Sequence, residues 1–334
     1  MERFASPQDV LEWLQVYSAS AALGAALELG LPWLLAAGPL DTTGVARALG
    51  IPIGRCRWWL QMLEHIGLLE RLPGGYALSA GARRAILGSY SRESWALLAA
   101  EERERFPTVV DLAGRLALPE SAPAPPPGGL EGYVQKMVED PGRARAFTRM
   151  LYELHLPLAD ALAGVLDMTG VRRMLDLGGG SGVMSLALLR RHPGLTSVVV
   201  DIDNVCAAGR QIAAENQLAD RMTYLAADLV DGDLPGEFDL TLECDVGVYT
   251  EPLFTKVRGA LNQGGRFVIV DQLAETEDQV PKRVLHWEFT ASIARPFLAV
   301  MTVARLKALL TDCGFTVTSQ TTLPEGFQLI DARP

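Results

Sequence analysis

The chain has 334 residues, and 40 acidic against 30 basic side chains leave a net charge of −10. That balance argues against a nucleic-acid partner, which selects for a basic surface. Hydrophobic residues make up 49% of the chain, enough for two cores, yet no apolar run is long enough for a membrane span. The start, Met-Glu-Arg-Phe-Ala-Ser, lacks the basic-then-apolar layout of a signal peptide. Cys56, Cys206, Cys244 and Cys313 form no CxxC pair, so they read as free thiols in a reducing cytoplasm.

Residues 10–37 read as two amphipathic or fully buried helices, with Val10, Leu11, Leu14 and Tyr17 on one face. Asp41 or Thr42 can cap a short helix that Gly50 ends, and Ile53 to Ile66 is a second helix. Gly67–Leu72, the turn Pro73-Gly74-Gly75 and Tyr76–Ser79 make a hairpin. Helix, turn, helix, hairpin is a winged-helix order. A DNA-reading helix would carry basic residues outward. This one offers Arg55 and Arg57, then Trp58, Trp59, Leu60, Met62 and Leu63, which fit burial against another domain or subunit. Residues 119–129 are a stiff Pro-rich loop. Helices over 130–140 and 141–166 follow, the second carrying Met150 and His155 and joining two domains.

From residue 171 apolar strands alternate with helical patterns: Arg173–Leu177, Ser197–Val200, Met222–Ala226, Phe238–Leu242 and Arg266–Val270. This is the signature of a parallel, doubly wound sheet with helices on both faces. Phe315–Thr322 and Phe327–Asp331 close it with a hairpin, giving an antiparallel last strand. The first strand runs into Gly178-Gly179-Gly180-Ser181-Gly182 and then an apolar helix. Such a turn brings ligand close to backbone, and the helix N-terminus favours a carboxylate. Asp201 ends the second strand, where an acid binds both ribose hydroxyls. Asp228 ends the third, placed to accept from an adenine amino group, with Leu229 against the ring. S-adenosylmethionine carries all three groups. A nicotinamide cofactor would use a similar glycine turn.

These motifs resemble the caffeate-type small-molecule O-methyltransferase family, including its bacterial polyketide and pigment branch. Leu175-Asp-Leu-Gly-Gly-Gly-Ser-Gly matches the family's first motif, Asp201-Ile-Asp-Asn-Val its second, with Asp203 for the usual proline, and Ala227-Asp228 its third. Asn262-Gln-Gly-Gly-Arg-Phe-Val-Ile-Val-Asp271 matches its late strand, and Tyr133–Met150 the helix before the catalytic domain. The resemblance implies an S-adenosylmethionine-dependent methyltransferase with a Rossmann-like catalytic domain over 167–334. It also implies an N-terminal winged-helix domain over 1–90 that makes an intertwined homodimer, and a helical connector over 91–166. Cys244 falls where plant members place a cofactor-contacting lysine.

The family's His-Asp pair after the fourth strand is missing. Val248 falls in the His slot and Tyr249 in the Asp slot. Asp271 stands where many members carry a Glu partnered with that His, and reads as solvated or structural without it. Tyr249 and His286 are the candidates to replace the base, by resemblance to the bacteriochlorophyllide C-20 methyltransferase, a carbon methylator. Met150, His155, Phe289 and Ile293 are the candidate substrate contacts, with Pro296, Phe297, Leu298 and Met301 adding apolar surface. No ligand-spacing motif points to a metal. The acceptor is expected to be small, apolar and ring-containing, methylated on carbon or oxygen. The rival readings are a relative using the cofactor as scaffold for a non-methylating reaction, and a ligand-sensing regulator.

Overall fold

A computed structural model describes residues 4–118, 130–294 and 300–334. The Pro-rich loop 119–129 and the apolar residues Pro296, Phe297 and Leu298 lie outside the described residues. The chain forms two compact units, Met1–Pro107 and Thr108–Pro334.

The first unit opens with α1 (Pro7–Glu28), started by a reciprocal cap: Asp9 N–H donates to Ser6 Oγ at 3.3 Å and Ser6 N–H to Asp9 Oδ2 at 2.7 Å. A short α2 (Leu31–Leu34) follows the left-handed Gly30. Asp41 caps α3 (Thr42–Leu49) by accepting from Gly44 N–H at 2.7 Å, and Gly50 closes it with φ +66°. In α4 (Ile53–His65) the buried residues Cys56, Leu60 and Leu63 recur at helical spacing. Trp59 Nε1 reaches back to the Ala22 carbonyl at 3.0 Å, whereas Trp58 is exposed. Strands β1 (Leu69–Leu72) and β2 (Gly75–Leu78) pair antiparallel. After α5 (Ala80–Ala82), helix α6 (Arg92–Arg105) adds Trp95 and Ala99 to the same core. That packing carries the unit to Pro107, past the boundary expected at residue 90, and splits the expected connector 91–166 between the units.

The second unit begins with α7 (Leu112–Leu116), α8 (Leu130–Glu139) and α9 (Pro141–Val165). Then come β3 (Arg173–Leu177), α10 (Val183–Arg191), β4 (Thr196–Asp201), α11 (Asp203–Glu215), β5 (Met222–Ala226) and β6 (Phe238–Cys244). The chain ends with α12 (Glu251–Ala260), β7 (Leu261–Asp271), α13 (Lys282–Ala294), α14 (Val303–Asp312), β8 (Thr316–Thr322) and β9 (Gln328–Arg333). The strand order is β5-β4-β3-β6-β7-β9-β8. Strands β3 to β7 pair in parallel, and β9 runs antiparallel between β7 and β8. Strand β7 starts earlier than the expected Arg266 because Leu261 pairs with Phe238 before an irregular step, after which Arg266 pairs with Leu240.

One core lies between the sheet and α9 to α11, including Leu158, Leu162, Leu186, Val199, Leu240 and Leu242. The other lies between the sheet and α12 and α14, around Phe254, Phe267, Phe315 and Leu306. With both faces covered, the strands read as apolar runs. The order turns outward in opposite directions from β3 and β6, so the ligand crevice of such a sheet lies at their carboxyl ends. Among the described residues no single helix is long and apolar enough to cross a membrane.

Candidate active site

The glycine turn follows β3. Gly178 N–H donates to the Val200 carbonyl at 2.8 Å, tying the turn to β4. Gly178 has φ +59°, and a Cβ there would stand 2.8 Å from the Val246 side chain. At Gly182, φ is +73° and a Cβ would meet Met222 Cε at 2.5 Å and Tyr224 Oη at 2.6 Å. Any side chain at either position is excluded by space and backbone alike.

Asp201 braces this turn. Its Oδ2 accepts from Gly180 N–H at 2.9 Å and its Oδ1 from Ile202 N–H at 2.8 Å. Burial pushes the carboxyl up to about 6, against the pull of those two N–H groups. Each oxygen keeps a lone pair for a ligand hydroxyl. Asp228 is exposed, and its Oδ1 takes Val230 N–H at 2.7 Å and Asp231 N–H at 3.4 Å, which shapes the loop after β5. Leu229 packs half-buried on the second core. Cys244 is half-buried against the first core. Burial, then the neighbouring carboxylates led by Asp245, hold its thiol well above the usual range, so it forms a neutral wall. A turn that admits backbone approach, beside a braced carboxylate, fits the methionyl and ribose parts of S-adenosylmethionine.

Carboxyl groups crowd the ends of β6 and β7. Glu243 is fully buried; its Oε1 accepts from Gly247 N–H at 3.1 Å and its Oε2 has no partner among the described residues. Burial and the nearby Asp271 push its carboxyl well above the usual range. Tyr249 donates its hydroxyl hydrogen to Asp271 Oδ2, and Asp271 Oδ1 accepts from Gln272 N–H at 2.6 Å. Asp271 thus has a structural partner and is not simply solvated. Burial, then the charges of Glu243 and Asp271, hold the Tyr249 phenol well above its usual value.

His286 lies exposed on α13 and lines a depression with Gln272, Pro281, Lys282 and Glu325. Its ring makes no hydrogen bond among the described residues, and the structure does not join it to Tyr249. The depression borders the end of β7 through Gln272, next to Asp271. Phe289 is exposed on the same helix, unlike a pocket residue, while Ile293 and Met150 are buried. His155 is buried on α9 and faces Asp245 across the end of β6.

Sequence reasoning passed over Glu243 and Asp176 as functional positions. A period-two reading flags both as acids within apolar strands, Leu242-Glu243-Cys244 and Leu175-Asp176-Leu177. No group of three metal-ligating side chains occurs among the described residues.

Fold and glycine turn together define a doubly wound methyltransferase. Residues 129–316 match the O-methyltransferase domain, and the chain belongs to that family, whose methyl donor is S-adenosylmethionine. It is 29% identical over 279 residues to the 3-hydroxy-5-methyl-1-naphthoate 3-O-methyltransferase of Streptomyces sahachiroi, covering 78% of this chain and 75% of that protein. It is 31% identical over 155 residues to the bacteriochlorophyllide d C-20 methyltransferase of Chlorobaculum tepidum, covering 44% and 45%. The fold is similar to that of the mitomycin 7-O-methyltransferase MmcR, with a TM-score of 0.84 at 22% identity over 99% of this chain and 98% of that one.

Proposed function

We propose that the chain methylates a ring-borne hydroxyl of a small, largely apolar acceptor. The observation that carries this reading is the row of carboxylates, Asp245 and Asp271, at the ends of β6 and β7 beside the glycine turn. They supply the proton acceptors that hydroxyl methylation needs. The donor brings an activated methyl group, so the protein's part is alignment and proton removal. In this reading Gly178, Gly180, Asp201, Asp228 and Leu229 hold the donor and Cys244 walls it. Met150, His155 and Ile293 surround the acceptor, Tyr249 orients it through Asp271, and His286 guards the entrance. The naphthoate relative supports a fused-ring acceptor.

Carbon methylation is the second reading, favoured by Tyr249 beside the slot where the family keeps its His and by the C-20 methyltransferase relative. Methyl-labelled donor with a hydroxynaphthoate is expected to give a labelled methyl ether by mass spectrometry and NMR. Label on ring carbon would favour the second reading. No label transfer across a panel of hydroxylated fused rings would sink the acceptor class.

The N-terminal unit is proposed to make a homodimer, and its helix–helix–hairpin order supports the winged-helix reading. Leu11, Leu14 and Tyr17 of α1 are each more than half exposed within the single chain. An apolar face of that kind is stable in water only when covered. Sedimentation is expected to show a dimer that Leu11→Glu with Leu14→Glu converts to monomer. A folded monomeric wild type would refute it. The free thiols accord with the cytoplasm.

A further inference from the structure

His155 and Asp245 stand 90 residues apart in sequence, yet His155 Nε2 lies 2.9 Å from Asp245 Oδ2. The other ring nitrogen, Nδ1, lies 3.0 Å from the Leu151 carbonyl oxygen. Both nitrogens therefore face acceptors, an arrangement fully satisfied when the ring carries two protons and Asp245 is ionised. The side chain of His155 is 11% exposed and that of Asp245 32%, so the acid stands in front and the ring behind. Asp245 Oδ1 has no hydrogen bond among the described residues.

The backbone marks the same position, one of four non-glycine residues with positive φ among the described residues. Asp245 holds φ +56°, a left-handed conformation that non-glycine residues rarely adopt. Its N–H is tied to the Val270 carbonyl at 2.9 Å. Strain of this kind gathers at functional sites. The next residue, Val246, packs over Gly178, so Asp245 stands at the lip of the crevice between β3 and β6.

We propose that Asp245 and His155 are the proton-accepting pair of the methyl-transfer site, built from elements distant in sequence in place of the missing His-Asp pair. Asp245 is the catalytic residue that touches the acceptor. His155 is the positioning residue that stores the proton. The resting pair is a carboxylate and a neutral ring whose Nδ1–H donates to Leu151. The acceptor oxygen forms its bond to the methyl carbon, the carbon–sulfur bond breaks, and sulfur keeps the electron pair. The oxygen's proton passes to Asp245 and on to Nε2. The pair ends as carboxylate and imidazolium, the state that the observed geometry satisfies. This rests on the hydroxyl-acceptor reading above.

Asp245→Asn and His155→Gln are each expected to lower kcat about 100-fold or more on a hydroxynaphthoate, with donor KM unchanged. On a nitro-substituted naphthol, already ionised in the assay, both losses should shrink to about tenfold or less, because no proton remains to be taken. Equal losses on the two acceptors would mean a merely structural role and overturn the pair. A readout that needs no acceptor is NMR of ring-nitrogen-labelled histidine. In the resting protein only Nδ1 should carry a proton, and on acidification Nε2 should gain one in wild type before it does in Asp245→Asn, which lacks the carboxylate facing it. Identical proton uptake at Nε2 in the two proteins overturns the proposal. If wild type methylates neither probe, the hydroxyl-acceptor reading falls separately, and the ring spectra alone decide the pair.

Discussion

Asp201→Ala is expected to weaken S-adenosylmethionine binding by about 100-fold or more. A hydrogen bond to a charged group contributes about 1.5–3 kcal/mol, and about 1.4 kcal/mol is a factor of ten in affinity. The carboxylate has two such bonds to offer a ribose. It also accepts from Gly180 N–H and Ile202 N–H, so removing it frees the turn that must approach the ligand. The two effects act in the same direction. The same group sets a pH dependence. Burial raises the carboxyl to about 6, so the free site is charged above that value and loses its acceptor form as pH falls through it. Affinity measured by calorimetry should therefore decline toward acid in wild type. Asp201→Asn should bind weakly with a flatter profile. An Ala variant that binds within about threefold of wild type would remove Asp201 from the cofactor site.

Local chemistry was the legible part of this chain. The caps Asp41 and Gly50, the glycine turn and the strand end at Asp201 each depend on residues a few positions apart, so the sequence carries them directly, whereas β5 ends at Ala226, two residues before Asp228. The strand β3 reads with its observed bounds because Gly178 stops it sharply. What failed to read depends on contacts between distant segments. The first unit runs past residue 90 because Trp95 and Ala99 reach a core made by residues far upstream. Tyr249 and Asp271, 22 residues apart, meet only because β6 and β7 are neighbours. The family register drew attention to Val248 in the His slot, yet Val248 is buried in the second core. The nearest His-Asp contact to that slot is instead made across α9, where no spacing rule connects His155 to Asp245. Phe289 looked like pocket lining from its helical neighbours, but the helix turns it outward.

Asp176 gives the second large effect, on stability. It lies in the central strand β3, 1% exposed. Ser185 Oγ donates to its Oδ2 at 2.5 Å, and Oδ1 has no partner among the described residues. Burial, opposed by Ser185 and aided by the charge of Asp201, raises the carboxyl from 3.8 to about 6. A carboxyl raised on folding favours the fold while protonated. Its contribution is fully present below the unfolded value, 3.8, and is lost as pH rises through about 6. A shift of that size corresponds to about 3 kcal/mol lost across this window. Asp176→Asn removes the titration while keeping an oxygen for Ser185. Its new amide donor lacks a partner at the Oδ1 position, which sets a constant offset of about 1–3 kcal/mol against the variant. The offset does not depend on pH, so the difference between the two proteins does the telling. Denaturant unfolding should show that difference moving by up to about 3 kcal/mol in favour of Asp176→Asn as pH rises from below 3.8 to above about 6. Asp201 titrates over the same range, but it is present in both proteins and largely cancels. A difference that stays constant across the window would show that folding does not raise the Asp176 carboxyl above its unfolded value.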